Sequence, residues 1–446
     1  MGTVRATAMV VGTIIGASIF VQPSLITGHV PSIAGVFAVW ATAGLLTLFG
    51  ALVCAELASA YPRTGGVYVF LKEEFSPVVG FLWGWAMFWT MHSGIVAAIA
   101  VVFARYAGYF APLGDVGVRL TAIAAIAILS AINYVGVREG SALQTAFTIG
   151  KVAAVVGIVI VGFALGSAAP DQVAVGAAGA GQSAAESAGP AGDVRAFVLA
   201  LIAGLFAFGG WHMVTYTADE TIDAERTIPR ALLIGTLIVT ACYIALNAVY
   251  LYILPLETVI SSSRVAADAA DAVLGYGGGA VMSGLVLFST FGALSGIILT
   301  GPRVYYAMAN DGLIFGWFAA THPRFRTPHR AIIAQAAWSS VLVLTGTYRE
   351  LFTRVIYTEW IFFGLMAAGL FLLRRRPGYE PRSTVWGFPL VPAIFVIATA
   401  IIVGNQVISE PGESAFGLSL VLVGLPVYYI LLRRRGHKPG GIDARR

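Results

Sequence analysis

The chain has 446 residues, of which 58% are hydrophobic and only 11% charged. A soluble domain carries about 25% charged residues, so this composition excludes a soluble globular protein and indicates a polytopic membrane protein. The formal charge of +5 is informative only through its distribution. The two cysteines, Cys54 and Cys242, stand in separate apolar runs with no C-x-x-C spacing, which argues against a disulfide framework or a metal site.

The first apolar run is uncharged from Ala6 to Gly28. It is long enough for a bilayer core, which needs about 20 helical residues, and too long for the apolar region of a signal peptide. Its middle, Val11-Gly12-Thr13-Ile14-Ile15-Gly16-Ala17-Ser18-Ile19-Phe20, is interrupted by Gly12 and Gly16. Glycine costs about 1 kcal/mol in a helix interior. A break there frees backbone groups that lipid cannot satisfy, so protein or ligand must do so. Twelve spans are predicted, at roughly 7–28, 33–60, 77–110, 118–135, 142–166, 195–217, 230–254, 280–308, 330–346, 351–374, 388–408 and 415–433.

An Ala/Gly/Ser-rich segment, 167–194, reads as a flexible extracellular loop. It separates a first five-helix block, 7–166, from a second, 195–374; helices 11 and 12 (388–433) and a basic tail (434–446) follow. The first span of each block carries interrupting glycines: Gly12 and Gly16 in one, Gly204, Gly209 and Gly210 in the other. Interrupted spans at matching positions of two halves point to an inverted-repeat transporter with a site at the bilayer midplane. An odd number of spans per block makes the halves inverted. Of the 27 Lys and Arg residues, 20 fall in one set of connections and 6 in the other, with Lys151 inside a span. This asymmetry predicts that both termini are cytoplasmic. The runs 374–376 and 433–435 read as topology anchors beside anionic lipid, not as a nucleic-acid site.

Several motifs resemble those of the amino acid–polyamine–organocation (APC) transporter superfamily, nearest its L-type amino acid transporter branch. Gly12–Phe20 resembles the first-span signature. Glu56-Leu-Ala-Ser-Ala-Tyr-Pro-Arg-Thr-Gly-Gly-Val-Tyr68 resembles the end of the second span and the next loop. Phe206-Ala-Phe-Gly-Gly-Trp-His212, with Asp219-Glu220, resembles the sixth, and Ser289–Gly296 with Pro302-Arg303 and Asp311-Gly312 the eighth. The likeness runs over essentially the whole chain. It implies an all-α membrane protein of twelve helices, a leucine-transporter-like 5+5 inverted repeat with discontinuous helices 1 and 6, plus two extra helices.

Carried onto this sequence, the resemblance implies that a substrate α-carboxylate meets the N–H groups of Ala17, Ser18 and Ile19, where a helix start presents about half a positive charge. The α-ammonium would meet carbonyls near Ile14 and Ile15 and near Phe206 and Phe208. Gly16, Gly209 and His212 complete the expected substrate set, with Phe206 as a candidate gate. His212 stands where the L-type pattern more usually has asparagine. It reads either as a protonation site or as a structural residue, as does His92.

Lys151, in Ala146-Phe-Thr-Ile-Gly-Lys-Val-Ala-Ala-Val155, lies at membrane depth, where a charge costs roughly 2.5–3.5 kcal/mol even on insertion scales. The loop end near Ser141 is about 15 Å away along a helix, long for snorkelling. The resemblance implies that its ammonium replaces a sodium ion against the first-span carbonyls and a hydroxyl of span 8, Thr290 or Ser295. Glu359 in span 10 is either a cavity-facing proton or cation site or a structural partner. Glu220, Arg226, Arg138 and Arg63 gather at predicted cytoplasmic ends, as inner-gate pairs or as solvated loop charges.

No H-E-x-x-H is present, Gly150-Lys151 lacks the P-loop spacing, and Gly275–Ala280 has no strand before it. The chain is therefore not expected to be an enzyme or to hold a cofactor. The resemblance implies that a cysteine linking some L-type members to a glycoprotein partner would lie between spans 3 and 4. The segment Tyr106–Arg119 has none, so a disulfide-linked heavy chain is not expected. Only about seven residues precede span 1, fewer than the resemblance suggests, as in a chain truncated at its start. These features predict a multi-pass permease of the plasma membrane, surrounded by the lipid bilayer. It would carry small or neutral L-amino acids by alternating access, independently of sodium, by proton symport or exchange. The alternatives are a cationic amino acid or polyamine carrier and, from other classes, a channel or a non-transporting amino acid sensor.

Overall fold

Among the described residues of the computed structural model every element is a helix. The structure describes residues 1–16, 18–135, 140–168, 190–275, 277–346 and 348–434. Ala17, Arg138, most of the expected 167–194 loop and the tail from Arg435 lie outside them.

The first predicted span is two short helices, α1 (Thr3–Ile14) and α2 (Gln22–His29), with a 3-10 turn at Ser18–Phe20 between them. Next come α3 (Ile33–Ala60) and the short α4 (Val67–Glu74). The Ser32 hydroxyl caps α3 by accepting the Gly35 N–H at 3.1 Å, which satisfies one of the unpaired donors of a helix start. Helix α5 (Pro77–Ala107) contains a π-turn at Met87–Met91, and α6 covers Asp115–Val135, α7 Gly140–Leu165 and α8 Pro190–Ala207. A left-handed Gly210 and a 3-10 helix, Trp211–Glu220, continue the chain after α8. The remaining helices are α9 (Ala224–Ile253), α10 (Leu256–Ser261), α11 (Val265–Leu274), α12 (Gly278–Asn310) and α13 (His329–Thr345). They are followed by α14 (Tyr348–Leu373), α15 (Leu390–Ser409), α16 (Pro411–Leu422) and α17 (Gly424–Arg434).

Among the described residues, 9 helical stretches are long and apolar enough to cross a membrane. Of the twelve predicted spans, the first, ninth and tenth fall outside that count. The first is divided by its break. The ninth is α13, which is 17 residues long. The described apolar part of the tenth is Tyr357–Leu373.

Small residues set the helix spacing around the first break. A methyl group on Gly44 of α3 would lie 2.6 Å from Thr240 Cγ2 of α9, and one on Gly235 of α9 would lie 2.6 Å from Val10 Cγ1 of α1. Where lipid is the solvent, such close approach supplies the dispersion contact that holds helices together. Helix α1 is thus lodged against α9, α7 and α12 in the interior, and its residues from Met9 to Ile14 are all buried. A polar backbone interrupted at that depth needs partners from those neighbours.

Candidate functional site: two apposed helix breaks

Helix α1 stops because the chain departs from helical geometry at Ile15, whose N–H still donates to the Val11 carbonyl at 2.8 Å. The last carbonyls of α1 therefore have no partner within their own helix. The second break faces the first. After α8, the Gly209 N–H turns back to the Phe206 carbonyl at 3.0 Å, and Gly210 takes φ 96°. That conformation favours glycine, and a methyl group there would also stand 3.1 Å from the Thr13 carbonyl oxygen. The Thr13 hydroxyl donates to the Gly210 carbonyl at 3.2 Å, so the two interrupted segments touch directly.

Two side chains from neighbouring helices serve the freed carbonyls. Lys151 of α7 is 2% exposed, and its Nζ donates to the carbonyls of Gly12 and Ile15, each at 3.1 Å. The negative end of the α1 dipole and the buried ammonium thus compensate each other. One turn earlier, the Thr148 hydroxyl donates to the Ala8 carbonyl at 3.0 Å and holds α7 on α1. From α9, the Tyr243 hydroxyl lies 2.9 Å from both the Ile14 and the Ala207 carbonyl oxygens. The sequence reading overlooks Tyr243. Its only trace there is a hydroxyl in the middle of an apolar run.

Between the breaks lies a cavity of about 20 Å³, close to the smallest volume that holds one water molecule. Thr13, Ile14, Gly16, Ser18, Phe206, Gly209 and Glu359 line it. Ile15 and Ile19 are fully buried beside it. Ala17 lies outside the described residues. Phe208 turns away from the cavity and packs on Tyr243 and Trp40, with ring centroids 5.0 and 6.4 Å apart.

Glu359 of α14 is 4% exposed. Among the described residues no hydrogen bond or ion pair reaches its carboxylate. His212 is 1% exposed and sits in a box of Trp83, Trp211, Tyr216 and Phe363, with centroids 4.9–5.8 Å away. Among the described residues neither ring nitrogen has a hydrogen-bond partner. His92 Nε2 lies 2.7 Å from the Ile297 carbonyl, an approach that needs the proton on that nitrogen, and so ties α5 to α12. The Thr290 hydroxyl bonds back to Val286 and Leu287 of its own helix, at 2.8 and 3.0 Å, rather than to Lys151. Ser295 is half-buried, and its carbonyl accepts from Asn133 at 3.4 Å.

The charges at the other ends of these helices pair differently from the predicted cluster. Glu220 takes Arg303 at 2.9 Å, Arg63 takes Glu73 at 2.6 Å, and Arg226 approaches Asp223 at 4.0 Å. Lys72 of α4 meets Asp311, just past α12, at 2.7 Å, and the Tyr68 hydroxyl donates to the same carboxylate at 2.5 Å. Among the described residues no group of three or more His, Cys, Asp or Glu side chains could hold a metal ion.

The fold and site define a helical membrane protein in which two interrupted helices face each other across a small internal cavity. Comparison with known proteins names the class. The profile of the Amino acid permease family matches residues 1–431, and the chain belongs to that family, within the APC superfamily. It is 31% identical over 439 residues to the serine/threonine exchanger SteT of Bacillus subtilis (strain 168), covering 98% of this chain and 97% of that protein. It is 30% identical over 451 residues to the large neutral amino acids transporter small subunit 2 of Oryctolagus cuniculus, covering 98% and 81%. It is 30% identical over 438 residues to the b(0,+)-type amino acid transporter 1 of Mus musculus, covering 97% and 88%. These relatives are transporters, and the chain is a membrane-embedded permease rather than an enzyme.

Proposed function

We propose that this permease carries small or neutral L-amino acids across the plasma membrane by alternating access, without sodium, by exchange or proton symport. The observation that carries the reading is Lys151 Nζ at 3.1 Å from the Gly12 and Ile15 carbonyls. A fixed cation there does electrostatically what a bound sodium ion would do, so none is needed to hold the break. The names of the relatives, a serine/threonine exchanger and large neutral amino acid transporters, support a neutral substrate.

In this reading a substrate carboxylate lies on the N–H groups of Ala17, Ser18 and Ile19. Its ammonium lies on the carbonyls of Ile15, Phe206 and Phe208, while Tyr243 retains those of Ile14 and Ala207. Gly16 and Gly209 let the ligand approach the backbone. A cavity of about 20 Å³ is too small for an amino acid, which fits a closed state that opens by movement of Phe206. Thr290 and Ser295 serve as reserve hydroxyls on the Lys151 side. The twelve-helix plan belongs to the same reading, with repeats 7–166 and 195–374, extra helices in 388–433 and both termini cytoplasmic. So does the expectation that no disulfide-linked heavy chain is attached.

A second reading, a cationic amino acid or polyamine substrate, is favoured by one observation: Glu359 lines the cavity, and its carboxylate has no partner among the described residues. Purified protein in proteoliposomes tests both. Uptake of labelled L-serine is expected to rise when unlabelled neutral amino acids are inside and to be unchanged when choline replaces sodium. Uptake that requires sodium, or that responds only to internal lysine or putrescine, overturns the neutral, sodium-independent reading. Flux without trans-stimulation indicates a channel, and binding without flux a sensor.

A further inference from the structure

The seam between α4 and α14 holds a carboxyl group that no side chain among the described residues serves. Glu74, the last residue of α4, is 1% exposed. Among the described residues neither of its carboxyl oxygens has a hydrogen-bond partner. Opposite it is Gly369 of α14. A methyl group on Gly369 would stand 2.5 Å from Glu74 Cδ and 2.5 Å from Oε2. The carboxyl group therefore rests on the α14 backbone, in room that only a glycine leaves.

The charged and titratable groups around the seam are committed elsewhere. On α4, Glu73 pairs with Arg63 and Lys72 with Asp311. From α3, Glu56 pairs with Arg374, and Cys54 is a buried free thiol. Beyond α14, Arg376 spends its guanidinium on the main-chain carbonyls of Glu73 and Glu74, each at 2.7 Å. The Tyr379 hydroxyl reaches Glu56 at 3.4 Å, and Tyr61 packs on Tyr379 with centroids 6.4 Å apart. Burial raises both tyrosine hydroxyls above their usual range, so they carry no charge into the seam. Burial likewise raises the Glu74 carboxyl well above the usual carboxylate range, opposed only in part by Arg376. A carboxylate left buried and unpaired is untenable.

We propose that Glu74 is a proton-binding site at the α4–α14 seam. It is protonated while its carboxyl group lies on Gly369. When the seam opens it releases the proton to water as the carboxylate reaches solvent or the Arg376 guanidinium. Proton binding therefore favours the closed seam, and the pH on that side of the membrane biases the two states. The proton site stands without the transport reading; only its consequence for the transport cycle rests on that reading.

The folded chain holds this proton more tightly than the unfolded chain. The stabilisation is complete at low pH and is lost as pH rises above the ordinary carboxylate range. Thermal unfolding of the full-length protein in detergent, from about pH 5 to about pH 8, tests this window. The wild-type midpoint is expected to fall by several degrees more across the window than that of Glu74→Gln, which is isosteric and permanently neutral. Glu73→Gln, one residue away and partly exposed, is expected to follow the wild type. Should Glu74→Gln fold poorly, Glu74→Leu fills the same space with no proton to bind. A neutral variant whose midpoint tracks the wild type across the window overturns the proposal. In proteoliposomes, Glu74→Gln is expected to keep the acid-side exchange rate and to lose its decline or rise with pH on the α4 side. If no chain transports but the unfolding difference holds, the transport reading fails and the proton site remains.

Discussion

The Tyr243 hydroxyl stands 2.9 Å from the carbonyl oxygen of Ile14, and at the same distance from that of Ala207, so one side chain of α9 joins the ends of both interrupted helices. A tyrosine hydroxyl has one proton, so it is shared between two carbonyls whose only side-chain donor among the described residues it is. Replacing it by phenylalanine leaves both unserved, at about 1–3 kcal/mol. The expected result for Tyr243→Phe is an affinity for amino acid lower by about tenfold or more, with the protein still folded. Substrate-induced thermal shift, read against uptake half-saturation, checks this. Unchanged affinity would show that the hydroxyl only packs.

Lys151 carries a heavier electrostatic share. Its two carbonyl acceptors come from either side of the point where α1 ends, so the ammonium holds the break open in one geometry. Hydrogen bonds to a charged group contribute about 1.5–3 kcal/mol each. Lys151→Ala is expected to reduce exchange by at least about tenfold, and sodium is not expected to restore it. Exchange at the wild-type rate would remove the residue from the mechanism.

How much of this was legible beforehand differs from residue to residue, for physical reasons. Both breaks could be read because glycine inside an apolar run is costly and therefore conspicuous. Lys151 could be read because a charge at membrane depth demands a partner. Tyr243 could not, since a tyrosine in a span is unremarkable until the packing of α9 on α1 and the approach of its hydroxyl to the end of α8 are seen. The Thr290 hydroxyl was a reasonable partner for Lys151 by depth, but it returns to the Val286 carbonyl one turn back. Glu74 was invisible for the opposite reason: in Lys72-Glu73-Glu74 it reads as a solvated acid. Only the packing of α4 against Gly369 encloses it. The first span, divided by its break, and the ninth, which ends after 17 residues, show the same limit: apolar content is local, whereas a break or a helix end is decided by neighbours.

Glu359 separates coupling from binding. It lines the cavity between the breaks, and among the described residues its carboxylate makes no hydrogen bond to the backbone. Glu359→Gln is therefore expected to keep counterflow of neutral amino acids to within about threefold, less than one kcal/mol. It is expected to lose accumulation driven by an inward proton gradient. Accumulation equal to the wild type would take Glu359 out of the coupling; loss of counterflow as well would make it part of the binding site.

At the far end of α3 the two partners of one ion pair are unequally buried. Glu56 is 0% exposed, and its carboxylate takes the Arg374 Nε at 2.8 Å, the Arg374 Nη2 at 2.5 Å and the Val385 N–H at 2.6 Å. It thereby clamps the connection between α14 and α15 onto α3. Arg374 is 24% exposed and lies over the Phe388 ring at 3.9 Å. The two partners therefore lose different things when separated. In Glu56→Gln the guanidinium keeps its ring contact and reaches water, and the amide retains the Val385 bond. In Arg374→Ala a fully buried carboxylate is left without its charged partner, with the Val385 N–H and the long 3.4 Å contact of the Tyr379 hydroxyl, and breaking a buried pair in this way costs about 3–5 kcal/mol. Arg374→Ala is expected to lower the thermal midpoint in detergent clearly more than Glu56→Gln. The double variant should be no less stable than Arg374→Ala alone, because the uncompensated charge is gone. Equal losses from the two single variants would mean that the pair is solvated and that the clamp rests on the backbone contacts of residues 383–385 instead.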